Sequence, residues 1–171
     1  MASLIDELVE VLDKENDEYE VMLTLSTEKT STIVKNDIEQ LQAVLVKEQA
    51  QIERINVLEK QREDTIRDIC KVIKVDPGQL TVKALIDLLA KKPDEQAKLM
   101  RVHTKLKKTL DQVVRVNENN KALTRESMEI LEFEMNLLKG LKMAPETNNY
   151  TKGAYSAGGT DTGAGAFDAK Q

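Results

Sequence analysis

From Asp94 to Lys139 the chain contains neither proline nor glycine. With Pro93 at its start and Leu141 at its end, this stretch of nearly fifty residues reads as one helix of roughly 70 Å. Pro93 fixes φ in the first turn, and Asp94 and Glu95 sit where the helix dipole favours negative charge. Apolar residues return at helical spacing: Leu99, Val102, Leu106, Leu110 and Val113, then Leu123, Ile130, Leu131, Leu137, Leu138 and Leu141. Gly140 and Pro145 mark the stop. A helix this long is not held straight by propensity, so other helices must cover its apolar stripe.

The preceding residues supply them. Ser3 is the expected cap of a first helix with Asp6 and Glu7 in its opening turn. Ile5, Leu8, Leu12, Tyr19 and Met22 form its stripe, with Glu15 at the skipped step. Thr30-Ser31-Thr32 weakens the helix without ending it. Asn36 or Asp37 caps a second helix, about 37–74, whose heptad stripe runs Ile38, Leu41, Leu45, Glu48, Ile52, Ile55, Glu59, Arg62, Ile66, Ile69, Ile73. Glu48, Glu59 and Arg62 interrupt it. They either snorkel at a bundle edge or pair with one another, or they form a buried polar layer that fixes register. Asp76-Pro77-Gly78 is a turn. Thr81 caps a short helix carrying Val82, Leu85, Ile86, Leu88 and Leu89, which plugs one end of the bundle. In the last helix Asn117 and Asn120 share a face, and they either bond across the bundle or mark a solvated stretch.

The expected fold is therefore all-α: an antiparallel bundle of three long helices plus one short helix over 1–144, and a flexible Gly-rich tail over 145–171. The tail has no aliphatic residue larger than alanine and cannot build a core. Yet Tyr150, Tyr155 and Phe167 lie there, leaving only Tyr19 and Phe133 elsewhere. They are either chance residues in an inert extension or anchors that order on a partner.

Charge excludes some functions. The formal charge is −5 with 32% charged residues, and no basic stripe offers itself to a phosphate backbone, so nucleic acid is not an expected partner. Cys70 is the one cysteine, which suits a reducing compartment. The amphipathic, acidic N-terminus does not read as a signal peptide, and no apolar run approaches a bilayer span, so a cytoplasmic protein without membrane insertion is expected. His103 has no second histidine to complete a metal site and reads as a solvated surface residue. Gly158, Gly159, Gly163 and Gly165 follow no strand and open no helix, so they do not form a phosphate loop. No catalytic, cofactor or metal residue is expected, and an enzyme is not.

Glu15, Tyr19, Met22-Leu23, Lys29, Asn36-Asp37, Leu41, Glu48, Ile52, Leu58-Glu59 and Arg62 resemble the first half of the flagellar export chaperones for hook-associated proteins. Asn117, Asn120 and Leu123 are similar to that family's asparagine pair and following leucine. Tyr150-Thr151-Lys152-Gly153 and Phe167-Asp168-Ala169-Lys170 resemble its ending. Thr24 and Thr124 depart from the pattern. The resemblance implies a cytoplasmic type III secretion chaperone with no catalytic site. Such a chaperone keeps hook–filament junction subunits unassembled and delivers them to the export gate, and it binds substrate through the C-terminal part of the chain.

Helix lengths lead to the same region. Aligned at the short plug, the last helix would outrun the second by about eleven residues, or about 16 Å. That end carries Phe133, Met135, Leu137, Leu138, Leu141 and Met143, a methionine- and leucine-rich face suited to partner helices of several sequences. With Tyr150, Tyr155 and Phe167 these are the expected partner-binding residues, toward hook-associated proteins and the export apparatus or in self-association through the last helix. The alternative is a structural or adaptor coiled coil with no export role.

Overall fold

The computed structural model describes residues 2–143. The expected tail, with Tyr150, Tyr155 and Phe167, and the side chain of Met143 lie outside the described residues. Four α-helices follow one another: α1 (Ala2–Val34), α2 (Ile38–Ile73), α3 (Val82–Leu88) and α4 (Pro93–Met143). Single 3₁₀ turns stand at Pro77–Gln79 and Leu89–Lys91. No strand occurs among the described residues. The chain divides into two units, residues 1–133 and 134–171.

The helix boundaries follow local chemistry. Asp37 caps α2 by accepting a bond from the Gln40 amide at 3.1 Å. Asn36 before it and Lys74 at the other end of α2 take φ of 53°, the left-handed conformation that reverses a chain at a helix terminus. Asp76 Oδ1 accepts from the Gly78 amide, and Thr81 Oγ1 from the Ala84 amide. Thr30-Ser31-Thr32 stays helical. Two boundaries differ from expectation. Helix α1 already begins at Ala2, so Ser3 lies inside its first turn, ahead of Asp6 and Glu7. Helix α4 passes through Gly140 to Met143, because nothing crowds that glycine and a helical φ suits it.

Side-chain pairs fix the topology. Glu15 meets Arg62, Tyr19 meets Glu59 and Ser26 meets Glu48, so α1 and α2 are antiparallel. Asp6 meets Lys98, Asn16 meets Thr109 and Ser26 meets Asn120, so α4 runs parallel to α1. The main core sits at the closed end. Ile5, Leu8 and Leu12 of α1, Ile69 and Cys70 of α2, Leu85 and Ile86 of α3, and Leu99, Val102 and Leu106 of α4 pack together. Leu80 and Leu89 close it from the turns beside α3. The short helix is thus a plug, with Leu88 left outside. A smaller cluster of Met22, Ile55 and Val113 lies further along.

The register of α2 differs from the heptad reading. Its buried residues are Val44, Glu48, Gln51, Ile55, Thr65, Ile69 and Cys70, while Ile38, Leu45 and Ile52 are exposed. The cause is on α1, which offers charged and hydroxyl groups to the first half of α2 and selects polar partners there.

Candidate functional site

A polar seam runs between α1 and its two neighbours. Toward α2, Lys29 Nζ donates to Glu48 Oε2 at 2.8 Å and Ser26 Oγ to Glu48 Oε1 at 3.3 Å. Gln51 donates its amide to the Glu18 carbonyl at 2.8 Å and also to the Glu18 carboxylate. The Tyr19 hydroxyl donates to Glu59 Oε1 at 3.0 Å. Glu48, Glu59 and Arg62 therefore do not pair with one another at an edge. Each finds a partner on α1, and Glu48 is buried.

Toward α4, the Thr109 hydroxyl donates to Asn16 Oδ1 at 2.7 Å, with both residues buried. Asn120 Nδ2 donates to the Ser26 carbonyl at 2.8 Å, and the Thr30 hydroxyl to Asn120 Oδ1 at 2.5 Å. The two asparagines of α4 separate here. Asn120 bonds across the bundle, whereas Asn117 Oδ1 is shielded from solvent with no partner. Such a seam specifies which helix faces meet, because any other register would bury these groups unpaired.

Glu15 lies at its centre, with none of its surface exposed. Burial pushes its carboxyl up to about 7, against the pull of Arg62 and helped by Glu59. Burial and the bond to Glu59 likewise push the Tyr19 hydroxyl up to about 12, so Tyr19 remains a donor at all physiological pH values. Glu15 Oε1 has no hydrogen-bond partner among the described residues. Among the described residues, no group of His, Cys, Asp and Glu could hold a metal ion. His103 is half-buried and not fully solvated. An open groove of about 610 Å³ between α1 and α4 is lined by hydroxyls and amides with Arg115 and Val116. These groups support recognition between helices.

The second feature is the far part of α4. Met128, Ile130, Leu131 and Phe133 close the first unit with 56–68% of their surface exposed. In the second unit Met135, Leu137, Leu138 and Leu141 are 55–67% exposed. Isolated exposed apolar residues are ordinary, but here four stand close together in each unit. The expected partner-binding residues within the described chain lie on α4, and near them stand Ile130 and Leu131, which sequence reasoning placed on the apolar stripe, and Met128, which it did not single out. A signal was there to read: apolar residues of this stretch spread over more of the helix circumference than one seam needs.

The family model described as FlgN protein matches residues 1–157. An uncharacterised protein of Bacillus subtilis (strain 168), YvyG, is 28% identical over 132 residues, covering 77% of this chain and 76% of its own. No solved structure matches the chain. No helix of the described residues is long and apolar enough to cross a membrane.

Proposed function

The chain belongs to the FlgN family, the flagellar export chaperones for hook-associated proteins, and from that premise we propose that it holds hook-associated proteins unassembled in the cytoplasm and delivers them to the flagellar type III export gate. The observation that carries this reading is the exposure of apolar residues on α4 in both units, Met128 to Phe133 in the first and Met135 to Leu141 in the second. An isolated helical face of this kind is costly in water and gains by burial, at about 25 cal/mol per Å² of apolar surface removed. Methionine and leucine adapt to partner helices of different sequence. Phe133 is the one aromatic ring among the described residues of that face, and an aromatic anchor suits the centre of an interface. The polar seam serves this function indirectly by holding the first part of α4 in register against α1. Binding, and not catalysis, is the activity proposed.

Gene deletion with complementation tests it. Cells lacking this chain should build hooks but fail to export junction proteins, and the wild-type gene should restore export. A Leu137→Glu/Leu138→Glu gene should fail to restore it while the variant accumulates normally. Normal junction-protein export in the deletion strain would contradict the reading.

A further inference from the structure

The ion pairs between α1 and α4 repeat every seven residues. Lys98 Nζ lies 3.0 Å from Asp6 Oδ1, and one heptad on Lys105 Nζ lies 3.7 Å from Asp13 Oδ1. The next repeat is Glu20 with Gln112, and the ladder of charges stops there. Glutamine offers no cation, and Glu20 Oε1 accepts instead from Asn16 Nδ2 on its own helix at 3.0 Å. The fourth repeat is Thr27 with Asn119. Both line the open groove of about 610 Å³, together with Thr30, Ser31, Arg115 and Val116.

The groove therefore opens where the ladder runs out of charge, and its lining is rich in donors. The Thr27 hydroxyl turns back to the Leu23 carbonyl at 2.8 Å, and the Thr30 hydroxyl is spent on Asn120 and on the Ser26 carbonyl. The Arg115 guanidinium, the Asn119 amide and the Ser31 hydroxyl remain. Among the described residues, the side-chain bonds and ion pairs from α4 to α1 are made by Lys98, Lys105, Thr109 and Asn120, and none by Arg115 or Asn119. The ion pairs within single helices or turns are Lys14–Glu10, Arg67–Asp64, Lys71–Asp68 and Lys92–Glu95, so Arg115 is not paired along α4 either. No acidic residue lines the groove.

The donors select the occupant. A guanidinium beside amide and hydroxyl donors is matched by a carboxylate, which it bonds through two parallel N–H groups. Arg115 is also the last of three exposed cations one heptad apart, Arg101, Lys108 and Arg115, which run along α4 for about 21 Å. Such regular spacing fits carboxylates carried on another helix. A phosphate backbone or an anionic bilayer is a poor match, because Asp6, Asp13 and Glu20 stand exposed on α1 and would repel a continuous negative surface. Val116 and the methyl groups of Thr27 and Thr30 give the groove apolar wall, which suits an aliphatic neighbour of the carboxylate.

We propose that the groove beside Arg115 is a docking site for an acidic helix of a partner protein, with one carboxylate received by Arg115 and Asn119 and two more, at seven-residue intervals, by Lys108 and Arg101. The partner thereby supplies from outside the charge pairing that α1 and α4 lose after Asp13 and Lys105. The site lies within the first unit and uses none of the exposed apolar residues of α4 from Met128 onward. It stands or falls independently of the chaperone reading.

The test titrates the full chain, at physiological salt, with a synthetic helical peptide carrying three glutamates at seven-residue intervals among alanines and leucines, and with the same peptide carrying glutamines. The glutamate peptide should bind saturably and the glutamine peptide should not. Arg115→Gln should weaken binding about tenfold, the worth of one hydrogen bond to a charged group. Lys107→Gln, a cation off the row, should leave it unchanged. The NMR signals of Ser31 and Asn119 should shift on titration. If Arg115→Gln fails to fold, Arg115→Lys, which keeps the charge and loses the paired N–H groups, supplies the readout with a smaller loss. No saturable binding, equal binding of the two peptides, or an unchanged affinity in the Arg115 variant overturns the site. Phosphatidylglycerol vesicles that bind wild type, and Arg115→Gln tenfold more weakly, assign the cations to a membrane surface. Signals of Ser31 and Asn119 that shift with chain concentration alone assign the groove to a second copy, and signals that shift on truncation after Ala144 assign it to the chain's own tail. Each of these three results also overturns the proposal.

Discussion

Arg62 Nη1 lies 3.2 Å from Glu15 Oε2, and the pair crosses from α2 to α1 with the carboxylate fully buried and the guanidinium side chain 29% exposed. The attraction does not outweigh the desolvation of Glu15, whose carboxyl is pushed up from 4.5 to about 7. A buried carboxylate with only one of its two oxygens bonded is poorly served as an anion. The folded chain therefore holds a proton on Glu15 that the unfolded chain releases near pH 4.5.

The sign of the pH dependence follows. Between pH 4.5 and about 7 the native state binds more protons than the unfolded state, so stability from this site is complete below the window and falls as pH rises through it. Glu15→Gln, which cannot ionise, should gain on wild type by on the order of 2 kcal/mol between pH 5 and 8. Denaturant melts of both proteins across that range check it. A constant difference would mean that Glu15 titrates normally.

Leu89 is 3% exposed and closes the core where α3 meets the start of α4. Leu89→Ala should cost about 2–5 kcal/mol, the range for a packed leucine whose site cannot collapse. A loss under about 0.5 kcal/mol in urea melts would make the plug a loose surface element.

The two asparagines of α4 should behave differently. Asn120→Ala removes the two bonds that join α4 to α1 here, to the Ser26 carbonyl and from the Thr30 hydroxyl, and should cost about 1–3 kcal/mol. Asn117→Ala removes an unpaired acceptor and should be neutral or stabilising. Equal losses in the two variants would mean that Asn117 also bonds across the bundle.

How much of this was legible in the sequence depends on the range of the interaction involved. The caps at Asp37 and Thr81, the turn at Asp76 and the start at Pro93 are decided within four residues, and they appear where the sequence puts them. The face of α2 was not legible. Burial of Glu48 and Gln51 in place of Leu45 and Ile52 depends on Ser26, Lys29 and Glu18, which are 19 to 33 positions away. A hydrophobic period cannot anticipate polar partners supplied by another helix. For the same reason the apolar end of α4 was found by helix length, while Met128, Ile130 and Leu131 were missed as part of it.

The tail enters through its rings. Tyr150, Tyr155 and Phe167 can each bury a large aromatic surface against a partner. Truncation after Ala144 should leave the melting temperature within a few degrees and weaken binding of hook-associated segments at least tenfold, about 1.4 kcal/mol. Equal affinities by calorimetry would make the tail an inert extension.

The central claim is that the apolar residues of α4 from Met135 to Leu141 bind a hook-associated partner. Leu138 is 59% exposed, so a charge there should cost the fold little and the complex much. The decisive measurement is the affinity of Leu138→Glu for the terminal helices of a hook-associated protein, taken with its melting curve. A loss of binding beyond tenfold with an unchanged melt is the predicted result. Unchanged binding, or an unfolded variant, would contradict the claim.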